Sequence, residues 1–238
     1  MNRRSFTALA VGAGLALPLG VVELGRTKGG GEPSSIPARP LEPPVDGVIR
    51  TAFAVGPGVN VIDVSGPWET LQDAAIAGEA ARFELFTVSE TEGTVDASGG
   101  LKVEAAYSYE ASPQPHVVVV PAHDATPRTL SWLRDVAQRA DLVMSVCTGA
   151  FVVADAGLLE GLTATTHHGS YDDFEAMYPT IRLLRHRRFV EHKHVATAGG
   201  LTSGIDLALR VVERYLGPAA ATATADYMEY ERSTLRVA

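Results

Sequence analysis

A doubly wound α/β fold, with a mostly parallel sheet and helices on both faces, follows from three observations. Strand-like and helix-like segments alternate from Val48 onward, the pattern of crossover connections. Two strand-like runs, His116–Val120 and Leu142–Val146, are largely continuous in apolar residues instead of alternating, as strands buried on both faces are. A chain of 238 residues that is 46% hydrophobic can bury one sizeable core.

In order, Val48–Val55 reads as the first strand, Pro67–Ala77 as a helix and Phe83–Val88 as the second strand. Leu101–Ala105 is a short strand after the Gly99-Gly100 turn, and His116–Val120 is a buried strand that stops at Pro121. Pro127–Arg139 supplies a crossover helix with Leu130, Leu133 and Val136 at three-residue spacing. Leu142–Val146 is a strand and Ala150–Leu159 a helix. A short strand at Thr163–Thr166 and a helix at Tyr171–Met177 follow. Next come a hairpin through Phe189-Val190-Glu191 and Val195-Ala196-Thr197 and a long helix at Ser203–Tyr215.

The first residues, Met1-Asn2-Arg3-Arg4-Ser5-Phe6, precede an apolar stretch from Ala8 to Val22, so residues 1–25 read as an export signal. The paired arginines resemble a twin-arginine signal, which places the folded domain outside the cytoplasm, in the periplasm or beyond. The stretch is short for a bilayer and holds Gly12, Gly14, Pro18 and Gly20, so no stable membrane span is expected after processing. Residues 26–46, rich in Pro and Gly, read as a linker, 47–217 as the α/β domain and 218–238 as a helical tail. The net charge of −8, with no basic stripe, argues against nucleic acid as a partner. The cationic Arg182–Arg188 run reads as a solvated hairpin.

The chain has a single cysteine, Cys147, in the turn Ser145-Val146-Cys147-Thr148-Gly149-Ala150 between a buried strand and a helix. A side chain there stands at the carboxyl edge of the sheet, where open α/β folds bind ligands. The amides of Thr148 and Gly149 and the helix dipole would favour thiolate over thiol. The competing reading is a small hydrophobe packed under the sheet. Asp63 would lie on the loop after the first strand, at the same edge, either as a partner for the thiol or as a cap on the helix starting near Gly66. His192 and His194 share one face of the hairpin, but nothing has the ligand spacing of a metal site, so no metal or cofactor is expected.

Together, Val61-Ile62-Asp63-Val64-Ser65-Gly66-Pro67, the cysteine turn, Gly157-Leu158-Leu159-Glu160-Gly161, Ala164-Thr165-Thr166-His167 and Gly199-Gly200-Leu201-Thr202-Ser203-Gly204-Ile205-Asp206 resemble the PfpI-like superfamily of class I glutamine amidotransferase-like domains. The likeness covers roughly 48–217 and is nearest to the isonitrile hydratases and to the sensing domains of AraC-type regulators. It implies a flavodoxin-like fold, a homodimer, and a small-molecule substrate or ligand. Cys147 matches the family nucleophile, Thr148 the threonine that follows it in isonitrile hydratases, and Asp63 the acid that approaches it. His167 matches a family histidine, and Gly66, Gly149 and His167 are expected to line the pocket. Where the family has Pro-Gly-Gly, this chain has Pro121-Ala122-His123, so side chains at Ala122 and His123 stand where glycine backbone lines the pocket. His123 is then either an acid/base group beside Cys147 or a solvated loop residue. Glu69 reads as a helix N-terminal acid, and Trp68 and Tyr171 as packing residues. The resemblance implies a cysteine-dependent lyase that hydrates an isonitrile to an N-substituted formamide. The alternative is an exported, non-catalytic ligand-binding or redox-sensing domain. The lack of a helix-turn-helix after the domain argues against a transcription factor. Amide or peptide hydrolysis is disfavoured because Thr148, not histidine, follows the cysteine.

Overall fold

The computed structural model describes residues 39–74 and 81–231; the expected export signal lies outside them, as does the last part of the expected first helix. The elements run β1 (Val48–Ala54), α1 (Val61–Asp73), β2 (Arg82–Ser89), β3 (Gly93–Asp96), β4 (Lys102–Ala105), β5 (Tyr107–Ser108) and β6 (Val117–Val120). They continue with α2 (Pro127–Ala137), β7 (Leu142–Ser145), α3 (Gly149–Asp155), β8 (Thr163–Ala164), α4 (Tyr171–Met177) and β9 (Arg182–Leu183). The last are β10 (Phe189–Glu191), β11 (Val195–Ala198), α5 (Ser203–Leu216) and α6 (Pro218–Tyr227).

Seven strands form the central sheet in the order β10-β11-β7-β6-β1-β2-β5. Every neighbouring pair is parallel except β10 with β11. This is the doubly wound sheet that the uninterrupted apolar runs call for. The chain leaves β1 toward β2 on one side and returns through β6 on the other, so the winding reverses between β1 and β6. The crevice at their carboxyl ends is where such sheets take ligands.

Alternate residues of each strand feed different layers. Val117, Val119, Leu142 and Met144 pack with Leu71 of α1, Leu207 and Val211 of α5 and Ala220 of α6. Val118, Val120 and Val143 face the other way, onto Leu133 of α2, Val152 of α3 and Phe174 of α4. At the β2 side, Phe86 and Tyr109 are covered by Trp132, which stacks on Tyr109 at 4.8 Å.

The structure departs from the sequence reading most at α1. Its start at Val61 is six residues ahead of the expected Pro67, which lies inside the helix. The Val61-Ile62-Asp63-Val64 run is β-branched and disfavours helix by propensity. Long-range hydrogen bonds override it: Ser98 Oγ accepts from Val61 N at 3.1 Å, and the Ala122 carbonyl accepts from Asn60 N at 2.9 Å. Asp63 is therefore in the first turn of a helix and not on a loop, and Glu69 is mid-helix and exposed instead of at the N-terminus. The strand β3 was not expected; it pairs with β4 as a separate hairpin.

Two ends of the described chain join the core. Leu41 N donates to the Arg214 carbonyl at 2.7 Å, and Arg214 Nε donates to the Arg39 carbonyl at 3.1 Å. Ala220, Ala221 and Ala225 of α6 are buried.

Gly149 is a packing requirement. A Cβ there would stand 2.1 Å from the Val120 carbonyl oxygen and 2.9 Å from that of Pro121, so the start of α3 presses directly on the end of β6. Gly149→Ala is expected to destabilise the fold by about 3 kcal/mol, read as a lowered urea midpoint at unchanged slope.

Candidate active site

β7 ends at Ser145, and two residues on the chain adopts a left-handed conformation at Cys147, with φ of 59°. A non-glycine residue there costs on the order of 1–3 kcal/mol and persists only where its surroundings hold it. Cys147 N donates to the Gly199 carbonyl at 2.9 Å, and Thr166 Oγ1 donates to the Cys147 carbonyl at 2.9 Å. Val146 N reaches the Val120 carbonyl at 3.0 Å. The elbow is thus bonded to β6, to the loop after β11 and to the segment after β8.

The sulfur lies in a nearly closed site, with Cys147 only 6% exposed. Burial, and next the negative charge of Asp63, push the thiol up from its ordinary value. Thr148 N–H, Leu201 N–H and the Thr148 hydroxyl donate toward the sulfur and hold part of that rise back. The donors expected at the elbow are present, yet they do not make the thiolate the favoured form: desolvation outweighs them.

Asp63 is fully buried. Its Oδ2 accepts from the Ala122 amide at 3.3 Å, while Oδ1 is buried with no hydrogen-bond partner among the described residues. Burial pushes the carboxyl up to about 6, against a partial offset from the Ala122 amide and the Cys147 thiol. Acid and thiol each shift the other: the thiol's hydrogen bond restrains the rise of the carboxyl, and the carboxylate's charge raises the thiol. A carboxyl poised near neutrality beside a protonated thiol can take that proton and return it.

The other expected residues divide. Thr148 and Ala122 belong to the site through their amides. Gly66 does not line it: it is buried in α1, where a Cβ would meet Ile205 Cγ1 of α5 at 3.1 Å, so it spaces two helices. Gly149 serves the close approach described above. The His123 ring folds over Gly56, and its Nδ1 pairs with the Pro121 carbonyl at 2.9 Å. None of its hydrogen bonds among the described residues reaches Cys147 or Asp63; burial lowers its pKa, and Nε2 is buried with no hydrogen-bond partner among the described residues. His167 Nδ1 accepts from Gly169 N at 3.1 Å while its ring lies against Gly200, next to Leu201. Trp68 packs on Phe53 with centroids 4.9 Å apart, and the Tyr171 hydroxyl accepts from His186 N at 2.8 Å.

The reading of individual residues missed Leu201, 41% exposed and held at φ of 53°. The Gly199-Gly200 pair before a helix was the available signal, but leucine disfavours this conformation and does not announce it. His192 turns to Thr163 and His194 to the Asp141 carbonyl. Among the described residues no group of three or more His, Cys, Asp or Glu could hold a metal ion.

Fold and site define a doubly wound α/β domain whose cysteine sits on a strained strand-to-helix turn against a buried acid. The chain belongs to the DJ-1/PfpI family, whose pattern matches residues 49–214. It is 30% identical over 189 residues to the isonitrile hydratase of Pseudomonas putida, covering 76% of this chain and 78% of that protein. It is 29% identical over 171 residues to the HTH-type transcriptional regulator CdhR of Pseudomonas aeruginosa, covering 70% of this chain and 50% of the regulator. A ThiJ/PfpI family protein from Pseudomonas syringae superposes with a TM-score of 0.68 at 25% identity, covering 77% and 76% of the two chains.

Asp63→Asn is expected to change two independent observables. Without the carboxylate charge the thiol ionises more readily, so alkylation of Cys147 by iodoacetamide shifts to lower pH. The stability profile also flattens. A carboxyl raised from 3.8 to about 6 favours the fold below pH 3.8, and that contribution is lost as pH rises through about 6. Urea unfolding between pH 4 and 7 should show this decline in the wild type and not in the variant.

Proposed function

We propose that the protein is a cysteine-dependent lyase of isonitrile hydratase type, converting an isonitrile to an N-substituted formamide. The observation that carries the reading is the buried pairing of the Cys147 thiol with a carboxyl whose pKa is about 6. The 30% identity to an isonitrile hydratase over most of both chains supports it. An isonitrile has an electrophilic terminal carbon and needs a nucleophile and a proton at that atom. The thiol proton passes to Asp63 as the sulfur attacks that carbon, and Asp63 returns the proton to it, giving the thioimidate R–N=CH–S–Cys. Water adds to the same carbon, the C–S bond breaks, and R–NH–CHO departs as the thiol is re-formed. The amides of Thr148 and Leu201 steady the sulfur whenever it carries charge. No metal or organic cofactor enters these steps.

A second reading is a ligand-binding or redox-responsive domain without turnover. The elevated thiol pKa favours its ligand-binding form over its redox form, because oxidation needs the thiolate, and the similarity to a transcriptional regulator supports ligand binding. We further propose that the domain works outside the cytoplasm as a homodimer.

Incubation of reduced protein with a panel of small isonitriles, with formamide read by mass spectrometry, separates these functions. Turnover by the wild type and its loss, by about a hundredfold or more, in both Cys147→Ser and Asp63→Asn is the expected result. A folded, reduced wild type that consumes no isonitrile overturns the hydratase reading.

A further inference from the structure

Beneath the Leu201 loop lies an ion pair that the proposed chemistry does not use, its acid fully buried and its guanidinium side chain 33% exposed. Asp206, in the first turn of α5, is fully buried, and its Oδ2 accepts from Arg188 Nε at 2.5 Å. A second arm of the same guanidinium, Nη2, also meets Asp206 Oδ2 and reaches Thr202 Oγ1 at 3.3 Å and the Tyr230 hydroxyl at 3.4 Å. The backbone of Arg188 completes the arrangement: its carbonyl accepts from Gly199 N at 2.9 Å, and the Gly199 carbonyl accepts from Cys147 N at 2.9 Å. Arg188 thus holds the Gly199–Thr202 loop at both ends, by its own backbone at Gly199 and by its side chain at Thr202. Two backbone hydrogen bonds separate it from the cysteine.

Burying a carboxylate beside a partly exposed guanidinium is a poor route to stability, because desolvation of the acid offsets much of the attraction. It does fix geometry, since a guanidinium presents its donors in a rigid fork. What this fork fixes is the loop that carries the Leu201 amide and receives the Cys147 amide.

We propose that Asp206 and Arg188 are positioning residues that set the reactivity of Cys147 by holding the Gly199–Thr202 loop, with Tyr230 and Thr202 as the outer members of the clasp. The proposal rests on the reading of Cys147 as the reacting group. With the loop held, the Leu201 amide stays on the sulfur and the left-handed turn at Cys147 is enforced. Released, the loop draws that amide away, and the thiolate loses a donor in a site where burial already opposes it. Asp63 is the charged group that pushes the thiol up after burial, while the clasp meets the sulfur through the loop hydrogen bonds described above.

The test is the pH profile of Cys147 alkylation by iodoacetamide, which needs no isonitrile and so stands apart from the hydratase assay. It is measured with thermal unfolding on Asp206→Asn, Arg188→Lys and the double variant Thr202→Val with Tyr230→Phe. Asp206→Asn should slow alkylation at pH 7 about tenfold, with the profile displaced toward higher pH by about one unit. Arg188→Lys, which keeps the charge and loses the fork, should lie between this and the wild type. The outer double variant should shift in the same direction by a smaller amount. It removes only hydroxyl contacts, so it decides the matter if Asp206→Asn does not fold. Profiles that superimpose on the wild type in every folded variant, whatever their melting temperatures, overturn the proposal.

Discussion

The hydrogen bond from the Cys147 amide to the Gly199 carbonyl is the constraint on which the site depends. It joins the end of β7 to the end of β11, neighbours in the sheet with Thr197 opposite Ser145, and it forces the chain into the left-handed turn that lifts the sulfur clear of the strand. The turn is tolerated because the chain on either side is also fixed. Val146 is bonded to Val120 before it, and Gly149 presses on the Val120 and Pro121 carbonyls after it. The same contacts bring the ends of β6, β7 and β11 together around one thiol. Helix α1 then brings an acid to it from the far side of the winding reversal.

The chemistry follows from a balance between burial and donors. Desolvation raises both the thiol and the carboxyl, and the two groups raise or restrain one another in turn. The result is not an exposed thiolate of the kind that reacts with any electrophile. It is a protonated thiol facing a base of suitable strength, which suits an electrophile that must be attacked and protonated at one carbon. The unpartnered Asp63 Oδ1 fits that use, since a buried oxygen left without a donor is an acceptor held ready for a ligand or a proton.

Much of this was legible in the sequence. The buried strands declared themselves because residues facing both ways were apolar, and Cys147 and Asp63 could be placed at one sheet edge because both follow strands. The start of α1 could not be read, since its β-branched first turn is helical only through Ser98 and Ala122, which are distant in sequence. The direction of the thiol shift was hidden for a related reason: hydrogen-bond donors show in a motif, whereas the depth of burial belongs to the whole fold. His123 was likewise misjudged. Its place in the loop suggested either an acid/base group beside Cys147 or a solvated residue, and it is neither, because the absence of a side chain at Gly56 gives the ring a buried seat. Gly66, read as a pocket residue, instead keeps α1 close to α5.

The most direct test of this account is the titration of the Asp63 side-chain carboxyl, followed by carbon NMR in the wild type and in Cys147→Ala. A midpoint of about 6 in the wild type, moving upward when the thiol that helps hold the carboxylate is removed, is the predicted result. A midpoint near the ordinary 3.8, insensitive to Cys147, would contradict the claim that a buried acid and the cysteine work as one unit.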